Sequence, residues 1–342
     1  MTVASGPHGG FGSTVDFTTL TAPVSRAEVR RFHADAKGQP WSTSPPLLVG
    51  VIAVVVLALF WCFLLGVVAP FLLLPAIAVV AVSVLACAAL PPLGKWARWT
   101  RLDRFARANG LTFLPSGVPS YPGAIFGLGQ ARLATDHLRT AAGRYLDLGN
   151  YRYSTGSGDE RTTHQWGFLA LKLDRALPHM VLDATANNGL FGTSTLPISF
   201  DRAQVLSLEG DFDRYFTLYC PRDYERDALY VFTPDLLALL IDESRHFDVE
   251  IVDDWMFVYS ATRFDMTDPG TLRRLFRIVD TVGAKTLRQT ARYADGRASG
   301  GVVAPAGRRL RRGMPAAVVL VAVVAVVIFG ANAFGLLSTL FG

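Results

Sequence analysis

Thr163–Leu173 reads THQWGFLALKL. In an extended chain, successive side chains point to opposite faces. Gly167, Leu169, Leu171 and Leu173 then share one face, and Trp166, Phe168 and Ala170 share the other. Apolar residues on both faces predict a central strand whose sheet is covered on both sides. Further strands are expected at Tyr145–Tyr153, His179–Ala184 and Phe212–Cys220, with STGSGDER (154–161) as a loop. Phe247–Val252 and Trp255–Ala261 read as a hairpin turning at Asp253–Asp254, although that turn has no glycine.

Helix signals flank these strands. Leu93–Ala108 is a basic helix closed by Asn109–Gly110, a pair suited to a left-handed C-cap. Thr233–Pro234–Asp235 opens a helix that runs to Ser244, and Asp268–Pro269 opens another that runs to about Tyr293. In the latter, Leu272, Leu275, Phe276, Val279 and Val282 form an apolar stripe. Ser25 and Glu28 have capping-box spacing. An antiparallel sheet with late and C-terminal helices makes the expected fold class α+β, not a doubly wound parallel sheet.

The 342 residues are 51% apolar and 18% charged, with net charge +5. Three cysteines, two of them in apolar runs, exclude a disulfide-stapled domain. Gly38–Gly94 and Gly313–Gly342 contain no charged residue. The apolar run 47–90 would reach roughly 66 Å as one helix, twice a bilayer's hydrocarbon thickness. It therefore predicts a transmembrane hairpin of two spans, at 47–67 and 70–90, broken at Gly66–Pro70. A third span is expected near 315–337. The expected organisation is a flexible cytoplasmic tail (1–46), the hairpin (47–92), a cytoplasmic domain (93–296), a basic linker (297–312) and a C-terminal transmembrane helix (313–342).

Basic residues flank these runs on one side of that topology: Lys95, Arg98, Arg101, Arg104 and Arg107, then Arg308, Arg309, Arg311 and Arg312. They predict a multi-pass inner-membrane protein with its N-terminus and central domain cytoplasmic and its C-terminus outside. The same residues would meet anionic headgroups, with Trp96 and Trp99 as interfacial aromatics. Residues 108–307 carry 20 Lys/Arg against 24 Asp/Glu, so the basic excess sits beside the uncharged runs and does not argue for nucleic acid. Asn332 hints at helix–helix association, with a membrane-protein partner or a second copy.

Catalytic motifs are absent from the sequence: no phosphate loop, no metalloprotease helix and no nucleophile elbow. No cofactor or metal is expected. The catalytic candidates are Asp211 and Asp213, which would share a face of an extended strand and could hold Mg²⁺ against a phosphate, and the possible bases His164 and His179. Each is weighed against an ordinary turn or core role.

The stretch from Ser207 to Leu240, SLEGDFDRYFTLYCPRDYERDALYVFTPDLLALL, resembles a pattern in uncharacterised bacterial membrane proteins of actinobacterial type. Only four of the 33 basic residues are lysine, which fits a GC-rich genome. The resemblance implies a membrane-tethered domain over most of 95–295 and assigns no catalytic residue. The expected function is a binding, scaffold or regulatory module at the inner leaflet. The alternative is a membrane-associated enzyme acting on a phosphorylated or lipid-linked substrate.

Overall fold

Thr162–Ala184 is a single 23-residue strand, and the rest of the sheet is built around it. The structure, a computed structural model, describes residues 15–39, 41, 93–189, 194–208, 210–298 and 302–313. In chain order the strands are β1 (Leu111–Gly117), β2 (Gln130–Thr140), β3 (Leu146–Thr155), β4 (Thr162–Ala184), β5 (Val205–Leu206), β6 (Phe216–Tyr219) and β7 (Asp248–Ser260). All pairings are antiparallel. One margin of β4 pairs with β3 through its first half and with β6 through its end. The other margin pairs with β7 along its length.

The sequence reading makes two strands of β4, Thr163–Leu173 and His179–Ala184, with a break between them at 174–178. In the structure, irregular register between Lys172 and Met180 absorbs the interruption and the strand continues. The expected hairpin at Asp253–Asp254 is corrected in the same way. β7 runs straight through, with Asp253 at φ +52°. A left-handed aspartate is a turn signal in sequence and a bulge when its flanks pair with the same neighbouring strand. The strand expected at Phe212–Cys220 is shorter, because Phe212–Arg214 forms a 3₁₀ turn ahead of β6.

The helices are α1 (Thr18–Thr21), α2 (Arg26–Asp35), α3 (Leu93–Ala108), α4 (Glu225–Val231), α5 (Pro234–Ser244), α6 (Pro269–Ile278), α7 (Ala284–Thr290) and α8 (Pro305–Arg308). Ser25 and Glu28 close the capping box on α2 as their spacing predicts. A π-helical segment, Val279–Gly283, joins α6 to α7. A Cβ on Gly283 would come within 2.8 Å of Leu171, so this glycine lets the helix approach β4. Asp268 accepts from the N–H groups of Gly270 (3.2 Å) and Thr271 (2.7 Å) at the start of α6. Asp268→Ala removes both acceptors and should cost about 1 kcal/mol, read as a lower urea midpoint at unchanged m value.

Two cores follow from the two apolar faces of β4. Leu169, Leu171 and Leu182 pack with Met256, Val258, Leu272 and Phe276 on the helical side. Trp166, Phe168, Tyr151, Tyr259 and Phe257 pack under Ile125 and Phe126 on the other, aromatic side. Each such side chain contributes roughly 1.5–3 kcal/mol when fully buried.

The reading as a multi-pass inner-membrane protein is corrected. Among the described residues no helix is long and apolar enough to cross a membrane. The runs 47–67, 70–90 and 315–337 on which that reading rested lie outside the described residues. The 16-residue α3 is shorter than the roughly 20 residues a span needs and carries five basic residues besides Asp103. Over the described residues the fold class is therefore an antiparallel α+β sheet with helices, and none of those helices is the expected transmembrane hairpin or C-terminal transmembrane helix. The described residues give no support to the expected multi-pass topology and inner-membrane localisation.

Most of the residues offered as a membrane surface have partners within the domain. Trp96 and Trp99 are buried, and their rings meet edge-on at 5.3 Å. Lys95 lies 4.1 Å from the Trp99 ring. Arg98 pairs with Asp136, and Arg107 pairs with Asp103 at 2.8 Å. Arg104 donates to the carbonyls of Thr19 (3.0 Å) and Ala22 (2.6 Å). Arg101 is half-buried on the same helix. The tail segment 15–39 is accordingly two helices packed on α3, not a free chain.

The described part of the expected linker, 297–298 and 302–312, is also folded. Asp295, 4% exposed, accepts from the Tyr224 hydroxyl at 2.7 Å and the Ala304 N–H at 2.9 Å. Arg308 donates to the Val303 carbonyl at 2.8 Å, and Arg309 makes a two-pronged pair with Asp253 at 2.7 and 2.8 Å. The Arg311 N–H donates to Gln204 at 2.9 Å, and Arg312 bridges Phe200. Glycine, proline and arginine suggest a linker by composition, but here they supply a tight helix and charge partners.

Candidate functional site

The aromatic face of the sheet holds ionisable groups that its alternating pattern would reserve for apolar ones. Asp147 lies on β3 opposite Ala170 of β4 and is 0% exposed. Its Oδ1 lies 2.9 Å from Nδ1 of His137. Its Oδ2 accepts from the Tyr121 hydroxyl at 2.6 Å and from Arg139 at 3.0 and 3.3 Å. Tyr145 extends the chain through its hydroxyl, 2.8 Å from that of Tyr121. Burial alone would raise the Asp147 carboxyl. The hydrogen bond and charge of His137, then Tyr121 and Arg139, hold it below the usual carboxylate range.

His137 reaches this position through a bulge. β2 loses register with β3 between Thr135 and Leu138, and Asp136 sits at φ +51°. Opposite, a Cβ on Gly149 would fall 2.6 Å from the His137 Cα, so only glycine leaves room. The same bulge turns Asp136 toward α3, where it accepts from the Trp99 indole at 2.8 Å and pairs with Arg98. His137 is 1% exposed, and its Nε2 is buried without a partner.

A second network centres on Glu250 of β7, which is 1% exposed. Oε2 accepts from the Tyr259 hydroxyl at 2.6 Å and from the Ala124 N–H at 2.7 Å. Oε1 lies 2.8 Å from Nε2 of His179. The Leu310 N–H donates to His179 Nδ1 at 3.0 Å, which places the imidazole proton on Nε2, facing the carboxylate. Burial, then the Glu250 charge and hydrogen bond, push the Tyr259 hydroxyl well above its ordinary range.

The structure does not bring the sequence candidates together. His179 has both nitrogens engaged and is buried. His164 is half-exposed, 2.8 Å from the Thr155 hydroxyl and stacked 4.8 Å from Tyr153. Asp211 and Asp213 are exposed around a 3₁₀ turn, not along a strand, so they share no extended face. Asp213 is occupied by the Ser207 hydroxyl and by the Leu208 N–H at 3.2 Å. Asp254 pairs with Lys172 at 2.7 Å. No group of three or more His, Cys, Asp or Glu suited to a metal occurs among the described residues. Cys220 is buried, and burial pushes its thiol up to about 12.

Sequence reasoning missed Asp147, His137 and Glu250. A signal existed: LDLGNYRY (146–153) and DVEIV (248–252) each set an acid among strand residues. Their partners lie far off in the chain; Tyr121 is 26 residues from Asp147, and His179 is 71 from Glu250.

No family model matches this chain, and no curated protein matches it. Among solved structures it is similar to the crystal structure of the mycobacterial trehalose monomycolate transport factor A, TtfA, at 11% identity and a TM-score of 0.32, over 52% of this chain and 92% of that one.

Proposed function

We propose that this domain is a binding or scaffold module that works through its outer surface, without chemistry at a buried centre. The observation that carries this reading is that the two carboxylates at the centre of these networks are fully engaged. Both oxygens of Asp147 and both of Glu250 are engaged by donors of the same chain. Such networks rigidify a sheet and fix its pairing. The remaining acid–base candidates, Asp211, Asp213 and His164, stand apart at the surface.

On α4 a side-by-side apolar pair, Leu229 and Tyr230, is 53% and 41% exposed. Its chemistry suits a protein partner or a second copy of the chain. Photocrosslinking groups placed at these two positions of the full-length chain should give one discrete adduct in intact cells, and a group at exposed Arg152 of β3 should give none. The reading fails if the adducts are diffuse at every position while His137→Gln, without loss of stability, abolishes the cellular phenotype.

A further inference from the structure

The end of β4 holds a second pair of acids that takes no part in either network. Leu182 pairs with Val249, so Asp183 and Asp248 are the next opposed residues and their carboxylates leave the same face. Asp183 is 4% exposed and Asp248 0%. Asp248 accepts from the Ala184 N–H at 2.9 Å, and its other oxygen lies 3.5 Å from the Thr195 hydroxyl. Asp183 Oδ1 is buried and without a partner. The turn that follows β4 brings the Asn187 amide beside Asp248. Oδ1 of Asn187 and Oδ1 of neighbouring Asn188 are also buried and unpartnered.

Among the described residues neither aspartate forms a salt bridge. The nearest ionisable group along β7, Glu250, is committed to His179 and Tyr259. Two carboxylates at cross-strand distance in a dry site repel each other, and a cation between them removes the conflict. The available donors are carboxylate, amide and hydroxyl oxygens, with no imidazole or thiolate. That set suits a hard cation and disfavours zinc or copper.

We propose that Asp183, Asp248 and the side-chain carbonyl of Asn187 bind one hard divalent cation, Ca²⁺ or Mg²⁺, with water completing its shell. The ion would tie the end of β4 to the start of β7 and to the turn between β4 and β5. It would also give the orphaned oxygens a partner.

The test uses the full-length protein, stripped with a chelator and titrated with CaCl₂ and separately with MgCl₂ at neutral pH. Calorimetry should show one saturable site for at least one of the two ions, and the melting temperature should rise with ion concentration. Asp183→Asn combined with Asp248→Asn keeps the shape and removes both charges. This variant should fold, lose the binding heat and lose the thermal shift. Should it not fold, Asp183→Asn alone must weaken binding at least tenfold. The proposal is overturned if neither ion gives a saturable heat at millimolar concentration, or if binding survives undiminished in either variant.

Discussion

Asp147→Ala should destabilise the domain by roughly 3–5 kcal/mol, the usual result of removing one partner from a buried charged network. The carboxylate receives the His137 ring, the Tyr121 hydroxyl and the Arg139 guanidinium while itself 0% exposed. Truncation leaves the buried His137 ring unanswered, takes one of two partners from the half-buried Tyr121 hydroxyl and removes the counter-charge of Arg139. A domain of this size has about 5–15 kcal/mol in hand, so the variant should lose roughly a fifth of it or more. Urea denaturation followed by tryptophan fluorescence measures the loss. Asp211→Asn, at an exposed position with no side-chain cap, should stay within about 0.5 kcal/mol of the parent. Equal stability of Asp147→Ala and the parent would mean that the network is decoration.

What the sequence made legible was local. Ser25 with Glu28 and Asp268 with Pro269 mark helix starts because a cap is decided within four residues. The two faces of Thr163–Leu173 were readable because strand periodicity is a property of the strand itself. What failed depended on distant partners. Asp253 looks the same at a turn and at a bulge, and only its pairing to β4 and its contact with Arg309 tell them apart. Trp96 and Trp99 look the same at a lipid interface and in a core. The indole of Trp99 is settled by Asp136, 37 residues away. His179 was singled out as a base, yet the Leu310 N–H, 131 residues on, occupies its Nδ1. The candidate site was least legible of all, since Asp147 and Glu250 acquire their chemistry only when four strands and two loops meet.

Freed of divalent cations, the protein should be most stable near about pH 4 and lose on the order of 6 kcal/mol by about pH 8. The sign follows from Asp183 and Asp248, held up to about 6 and about 7 by burial. In the unfolded chain both would titrate near the ordinary value of 3.8. Between those limits the folded state binds more protons than the unfolded state, so stability falls as pH rises through the folded values. The Tyr219 hydroxyl, raised by burial and by the Asp183 charge, stays protonated over this range and cannot offset the loss. Asp147 acts in the opposite sense. Its lowered carboxyl contributes stability above the ordinary value, and that contribution goes as pH falls through the folded one. The two effects together put the optimum on the acid side of neutrality. Urea midpoints from about pH 2 to about pH 8 in chelator should trace this dome. Asp183→Asn with Asp248→Asn should flatten its alkaline limb and leave the acid limb in place. An unchanged alkaline limb in that variant would move the responsible group elsewhere in the molecule.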